Sequence, residues 1–199
     1  TLWHTLSLHD ALPISFTSGL ISSQSVVKVK LSAAYPGEVD PTRPVSKDKY
    51  KIQPDVDGDI YWVDNQTLEF RPAKKLPSGE DFTMKLYLSK LLNNKSSGDF
   101  SFNFSTIPLN LDINFTGLKS YSNTTLKWNR IEGTVSVSDI INISDLETIL
   151  VATQDGNSLR IDWNHESETR HSFIIDSVER KTLSDKVEVS WNGESLGIN

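Results

Sequence analysis

Apolar and polar residues alternate along most of the chain after Ser25. Residues 27–31 alternate valine and leucine with lysine. Residues 82–88 repeat the pattern, and residues 100–104 carry phenylalanine at every second position. A period of two places successive side chains on opposite faces of a β-strand, so these segments are predicted to be strands with one buried face. Shorter strands are predicted at residues 50–52, 60–63 and 68–70.

A second series of alternating segments follows Pro108, which marks a boundary because it cannot donate to a sheet ladder. Glycine, proline, asparagine and aspartate punctuate both series with turn signals. The later strands are predicted at residues 109–115, 126–137, 146–152, 159–163, 173–178 and 187–191. Residues 145–152 also fit a helical turn, but their β-branched side chains favour a strand.

Regular strands with such punctuation are typical of sandwiches. We predict an all-β chain of two tandem antiparallel immunoglobulin-like β-sandwiches. The first covers residues 16–107. The second covers residues 108–199, and residue 199 is not taken as its natural end.

The composition narrows the function classes. The 199 residues include 20 lysines and arginines against 26 aspartates and glutamates, a net charge of −6. Nucleic-acid-binding surfaces usually carry the opposite balance. The absence of cysteine excludes disulfides, thiolate metal sites and cysteine nucleophiles. No apolar run reaches the roughly 20 residues of a membrane-spanning helix. We therefore expect neither a nucleic-acid partner nor a membrane span in this chain.

Residues 5–15 read TLSLHDALPIS and resemble the translation of a short-read sequencing adapter. Its codons ACT CTT TCC CTA CAC GAC GCT CTT CCG ATC encode Thr5 to Ile14. A signal-peptide core is the alternative, but no basic region precedes it and polar residues interrupt it. Residues 1–15 are therefore expected to form an artefactual, disordered tail, and the reading frame is expected to be truncated at its start.

His165, Glu166 and His171 are the residues most similar to a metal site. Zinc metalloproteases use H-E-x-x-H on a helix, where positions i and i+4 place both imidazoles on one face. The two histidines here are six residues apart, between two predicted strands. This spacing favours a solvated loop over a zinc site. Glu166 and Glu168 are also carboxylates that could act in acid–base catalysis, but the sequence shows nothing that separates their pKa values.

Three aspartates surround Gly58 and mimic a calcium loop: Asp55, Asp57 and Asp59. An EF-hand needs glycine at its sixth position and glutamate at its twelfth, where this chain has Ile60 and Gln66. A hairpin turn is favoured, with a weaker surface calcium site as the alternative. The sequence therefore assigns no catalytic, cofactor-binding or metal-ligating residue, and we predict that the chain is not an enzyme.

Four tryptophans could form a platform that stacks on carbohydrate: Trp62, Trp128, Trp163 and Trp191. Each lies in or beside a β pattern with apolar neighbours. Packing in a core or at a domain seam is therefore the favoured interpretation.

Six N-x-S/T triplets match the acceptor sequence for N-glycosylation. They begin at Asn65, Asn94, Asn103, Asn114, Asn123 and Asn142. The chain is rich in asparagine, serine and threonine, so composition is favoured over glycosylation as their origin.

Several segments keep the order of a known protein family. In the first half they are residues 16–22 (FTSGLIS), 52–58 (IQPDVDG), 68–72 (LEFRP) and 76–82 (LPSGEDF), and in the second half residues 131–135 (IEGTV), 171–175 (HSFII) and 189–193 (VSWNG). This order resembles the N-terminal region of bacterial alpha-2-macroglobulin-like proteins. Residues 100–106 (FSFNFST) resemble the closing strand of bacterial Ig-like domains in general.

The resemblance implies large cell-envelope proteins that trap proteases when a bait segment is cleaved, many of them through a C-x-E-Q thioester. Without cysteine, this chain holds neither that thioester nor the lipid-anchoring cysteine expected near the start of many members. The implied role is a non-catalytic scaffold fragment of an envelope protease inhibitor, periplasmic or at the surface and anchored through a missing lipid signal. Its implied partners are the other domains of the full-length protein. Target proteases are bound only through the full-length protein.

Two other function classes also fit the sequence. A pair of Ig-like modules from a surface adhesin or S-layer-type protein fits the generic first half. An accessory carbohydrate-binding domain of a secreted hydrolase fits the tryptophans.

Overall fold

The computed structural model describes residues 13–93, 98–122, 126–181 and 186–198. The chain forms two compact units that divide between Ile107 and Pro108. Each unit has its own hydrophobic core. The described residues are mostly β-strand, with a few short helical turns.

The first unit contains two four-stranded sheets in the orders β1-β3-β6-β5 and β2-β8-β7-β4. In the first sheet, β1, β3, β6 and β5 correspond to strands A, B, E and D of an immunoglobulin sandwich. In the second sheet, β8, β7 and β4 correspond to strands G, F and C, and β2 is an additional strand beside β8. Its elements are β1 (Pro13–Phe16), β2 (Gly19–Ile21), β3 (Val27–Leu31), β4 (Tyr50–Gln53), β5 (Gly58–Trp62), β6 (Thr67–Pro72), β7 (Asp81–Tyr87), α1 (Leu88–Leu91) and β8 (Asp99–Thr106). The pairing of β2 with β8 is parallel, which the antiparallel prediction missed.

The alternation in β8 places three phenylalanines on one face, as predicted. Phe102 and Phe104 are buried, whereas Ser101 and Asn103 are exposed. The ring of Phe104 stacks on that of Phe82 in β7, with 5.2 Å between centroids. The closing strand is therefore held by aromatic packing as well as by its ladder.

The strand β1 corrects the expected tail. Pro13–Phe16 pairs with β3, and the Phe16 ring lies 5.3 Å from the Phe100 ring and 5.2 Å from the Phe102 ring. Residues 13–15 therefore belong to the sandwich, because Phe16 anchors the segment beside the edge of β3. Residues 1–12 of the expected tail lie outside the described residues.

The second unit contains a four-stranded sheet, β13-β14-β10-β9, and a three-stranded sheet, β12-β11-β15. The strand pairs among its described residues are all antiparallel. Its elements are β9 (Leu111–Ser120), β10 (Trp128–Val137), α2 (Ile143–Leu146), β11 (Leu150–Gln154), β12 (Asn157–Ser158), β13 (Ile161–His165), β14 (Arg170–Glu179) and β15 (Val187–Trp191). Both units are thus immunoglobulin-like.

A short helix replaces the start of one predicted strand. Residues 146–152 were predicted to be extended, but Leu146 belongs to α2 and the strand begins at Leu150. The side chain of Asn142 caps α2 by accepting a hydrogen bond from the Ser144 amide at 3.2 Å. The cap gives the Ser144 amide a hydrogen-bond partner, which an extended strand at these residues would not provide.

Gly133 and Phe173 face each other across β10 and β14. A Cβ atom added to Gly133 would lie 2.2 Å from Cζ of Phe173, so the ring occupies the space that any other residue would fill. The Phe115 and Trp163 rings pack against Phe173, with centroids 5.6 and 5.5 Å away. Phe173 is therefore central to the aromatic packing of this unit.

Candidate functional site

The second unit has an open side. In its four-stranded sheet, β9, β10, β14 and β13 take the A, B, E and D positions of an immunoglobulin sandwich. In the other sheet, β11 takes position C and β15 takes position F. Among the described residues, β15 pairs only with β11, and no strand takes the position after it. The edge of β15 away from β11 thus presents backbone donors and acceptors without a strand to bind them.

A groove of about 950 Å³ lies at this open side. It is lined by β9 and β15, the edge strands of the two sheets, and by parts of β10, β11 and β14. Its apolar lining consists of Phe115, Leu118, Ile131, Val178, Val187 and Val189. Leu118 is 64% exposed and Phe115 is 48% exposed. We call this feature the edge groove.

Local sequence explains the shape of the edge groove. Val187 and Val189 point into the sandwich because they alternate with Glu188 along β15. On β9, the register with β10 shifts between Glu132 and Gly133, close to Gly117. Gly117 has φ +153°, a conformation that side chains rarely adopt. This bulge re-aims the residues that follow, among them Leu118.

One end of the edge groove is basic. Lys181 pairs with Asp155, and Lys127 pairs with Glu179 at 3.2 Å. Arg180 lines the same end, and no described carboxylate forms an ion pair with its guanidinium. Gln154 connects this end to β15, since it lies opposite Val187 in the sheet. Arg180 therefore lies at the end of the edge groove that is next to the start of β15.

The two histidines lie directly opposite each other at the β13–β14 hairpin. The Nδ1 atoms of His165 and His171 are 3.0 Å apart, and Nε2 of His165 is 3.2 Å from a carboxylate oxygen of Glu147. One Nδ1 donates and the other accepts, so the pair shares a single proton across this contact. The expected solvated loop is wrong for His171, which is only 1% exposed.

The residues around the histidine pair contact one another. Glu166 pairs with Arg170 at 3.1 Å. Within the described parts of the chain, no three histidine, aspartate or glutamate side chains are grouped to hold a metal ion. Burial, and then the nearby His165, lower the pKa of His171. Nε2 of His171 is buried and has no hydrogen-bond partner among the described residues.

The aspartate-rich segment is a crossover between sheets rather than the predicted hairpin turn. It connects β4 to β5, which lie in different sheets of the first unit. Asp59 pairs with Lys47 at 3.0 Å, and the carbonyl of Asp57 accepts a hydrogen bond from the Ala73 amide at 2.9 Å. Asp55 is exposed beside them. These protein contacts hold the segment in place.

The tryptophans divide into packed and exposed residues. Trp62 is 6% exposed and stacks on Tyr35 at 4.8 Å, and Trp163 is half-buried against Phe173. The packing prediction is wrong for Trp128 and Trp191, which are 37% and 57% exposed. Both belong to the second unit, where Trp191 ends β15.

The asparagines of the glycosylation triplets are exposed wherever the structure describes them. This holds for Asn65, Asn103, Asn114 and Asn142, while Asn94 and Asn123 lie outside the described residues. Asn103 accepts a hydrogen bond from the Thr83 hydroxyl at 2.8 Å on the outer sheet face.

Sequence reasoning missed the edge groove and the contact of Glu147 with His165. The contact between His165 and His171 had a signal in the sequence, because both residues flank the same hairpin turn. Glu147 lies 18 residues from His165, so no local pattern connects them.

No helix in the described parts of the chain is long and apolar enough to cross a membrane.

Comparisons with known proteins identify no family. No family model matches the chain, and no curated protein matches it. Among solved structures, an L,D-transpeptidase from Mycobacterium tuberculosis H37Rv aligns with a TM-score of 0.33 and 14% identity over 77% of this chain. The titin domains Z1Z2, solved in complex with telethonin, align with a TM-score of 0.29 and 13% identity over 91% of this chain and 95% of theirs. The chain spans 59% of the L,D-transpeptidase chain.

Proposed function

We propose that this chain is a non-catalytic scaffold portion of a longer cell-envelope protein of the alpha-2-macroglobulin type. The observation that carries the proposal is the ordered likeness of sequence segments across both units. Three of these segments fall within sheet strands: residues 68–72 in β6, 131–135 in β10 and 171–175 in β14. Residues that build sheets are what a scaffold would share with its relatives.

The surroundings of the candidate catalytic groups support a structural role. Glu166 is held by Arg170 on the surface, and Glu168 is exposed. His171 is enclosed in the hairpin and points its Nδ1 at His165 rather than at an open cleft. A general base needs access to the proton that it removes, which the buried His171 lacks.

The decisive experiment is recovery of the complete coding sequence from its source. We expect further β domains and a helical thioester or thioester-like domain downstream. A continuation into S-layer repeats would instead support the adhesin alternative, and a continuation into a hydrolase would support an accessory domain.

A protease assay tests the same proposal biochemically. The purified 199-residue chain should leave the activity of a panel of endopeptidases on small and on protein substrates unchanged. The full-length protein should block cleavage of protein substrates while sparing small ones, as expected of a trap. Inhibition by the short chain alone would contradict the scaffold role.

A further inference from the structure

A cavity of about 630 Å³ lies in the first unit, beside the loop that connects β3 to β4. Two aromatic side chains, Tyr35 and Trp62, form part of its wall together with valines and prolines. Charged side chains complete the wall, among them Glu38, Arg43 and Lys49. We call this feature the loop cavity. Its size, and its apolar wall with a few polar groups, are typical of sites for small ligands.

The loop that forms the cavity, residues 32–46, is held in one shape. Near its start, the Tyr35 amide donates a hydrogen bond to the Asn65 carbonyl at 2.6 Å. At its other end, the Val45 amide donates to the Ile60 carbonyl at 2.7 Å. Three prolines within the loop restrict its backbone further. A ligand that enters the loop cavity therefore does not have to order this loop, which favours binding.

The aromatic part of the wall is also fixed. The Tyr35 ring stacks on Trp62 with 4.8 Å between centroids, and Trp62 is almost completely buried. The backbone of Gly37 lies close to the same tyrosine, since a Cβ atom added to Gly37 would be 2.8 Å from its ring. Tyr35 itself is only half-buried. It is therefore a positioned ring against which the C–H groups of a ligand can pack.

The charged groups of the wall are available to a ligand. Neither Arg43 nor Lys49 forms an ion pair with a carboxylate among the described residues, and Glu38 forms none with a base. Asp40 differs from them, because its carboxylate accepts hydrogen bonds from the amide and the hydroxyl of Thr42 within the loop. The loop cavity thus offers two cationic donors and one anionic acceptor.

We propose that the loop cavity binds a sugar that carries a carboxylate, of the hexuronic acid class. Arg43 and Lys49 donate charge-assisted hydrogen bonds to the carboxylate of the sugar. Glu38 accepts hydrogen bonds from sugar hydroxyls. Tyr35 packs against the C–H groups of the sugar ring. The ligand therefore combines a negative charge, hydroxyl donors and a ring, each of which has a counterpart in the wall.

An NMR titration of the intact, ¹⁵N-labelled chain tests the proposal. The probe is methyl β-D-glucuronide, and methyl β-D-glucoside is the matched sugar without the charge. We expect saturable shifts of the amides of residues 35–49 and of the Trp62 indole. The glucoside should bind about tenfold more weakly, because it lacks the charged hydrogen bonds. Absence of saturable shifts, or equal binding of the two sugars, would overturn the proposal.

Two further probes separate a sugar acid from other anions. Acetate has the carboxylate without the ring, and phenylalanine has a carboxylate and an aromatic ring without hydroxyls. Both should bind at least tenfold more weakly than the glucuronide. Acetate binding as tightly as the glucuronide would reduce the site to general anion binding. Phenylalanine binding more tightly would assign it to an amino acid, and either result contradicts the proposal.

A charge variant tests the role of the cationic side of the wall. Arg43→Gln should remove most of the preference for the glucuronide while leaving the weaker binding of the glucoside unchanged. The matched control is Lys51→Gln on β4, which is exposed but does not line the loop cavity. It should keep the full preference. Equal losses in the two variants would show that the preference comes from the overall charge of the protein.

Two substitutions of Tyr35 test the role of the ring. Tyr35→Phe keeps the ring and should bind both sugars as the wild type does. Tyr35→Leu removes the ring and should weaken the binding of both sugars several-fold. The amide spectrum of each variant without sugar shows whether the first unit remains folded. Unchanged binding in a folded Tyr35→Leu, or equal losses in the two variants, would refute the packing of the sugar on the ring.

Discussion

Phe102 shows how much one side chain of the closing strand contributes. Its ring lies 5.2 Å from Phe16 and 5.5 Å from Phe100, and it is buried in the first core. Phe102→Ala should lower the free energy of unfolding of the first unit by about 3–5 kcal/mol, because the transfer and cavity terms add. Chemical denaturation measures the change.

The neighbouring residue is the control for this substitution. Ser101 points away from the core. Ser101→Ala should change the free energy of unfolding by no more than about 0.5 kcal/mol. Similar losses at both positions would show that the strand faces the other way.

His171 should make the stability of the second unit depend on pH. Its pKa in the folded state lies below the ordinary value because burial disfavours the charged form. The unfolded chain therefore binds the proton first as the pH falls. The contribution of His171 to stability should be constant above the unfolded pKa of about 6.5, and should then decrease as the pH falls towards the folded pKa, with a slope of at most about 1.4 kcal/mol per pH unit.

Two variants separate His171 from its neighbour in denaturation curves between pH 8 and pH 5. His171→Leu should flatten the pH dependence, since it removes the buried titrating group. His165→Gln should keep most of it, because burial of His171 is the first cause of its lowered pKa. A slope that survives in His171→Leu would refute the assignment.

At the scale of elements, β1 is a strand where the sequence predicted the end of a disordered tail. Removing residues 1–16 should destabilise the first unit by about 1–3 kcal/mol, because the Phe16 ring covers Phe100 and Phe102. Removing residues 1–12 should cost less than about 0.5 kcal/mol if the adapter origin is correct. Thermal unfolding of both deletions provides the test, and equal losses would point to a role for residues 1–12.

Alternation alone predicts most strands because a buried face imposes the period of two. Residues 187–191 were predicted as observed. Failures occur where another interaction decides the structure: α2 depends on a side-chain cap, and β2 on a parallel neighbour 80 or more residues away. The histidine pair and the edge groove depend on which strands meet, which local patterns do not encode.

At the scale of the whole molecule, each unit should unfold around its own core. Calorimetry should resolve two transitions, with the second unit melting first because Phe115 and Leu118 remain exposed at its open side. Phe102→Ala should shift only the transition of the first unit, and Phe173→Ala only that of the second. A single transition shifted by both variants would mean that the units unfold together.

The contact of Gly133 with Phe173 also provides a way to search for relatives when overall sequence similarity is low. Even alanine at position 133 would push against the ring, so the two positions are free to vary only together. A glycine in one strand, facing a phenylalanine about 40 residues later in the adjacent strand, is therefore a search pattern that depends on packing. Chains selected with this paired pattern can then be compared strand by strand with the second unit.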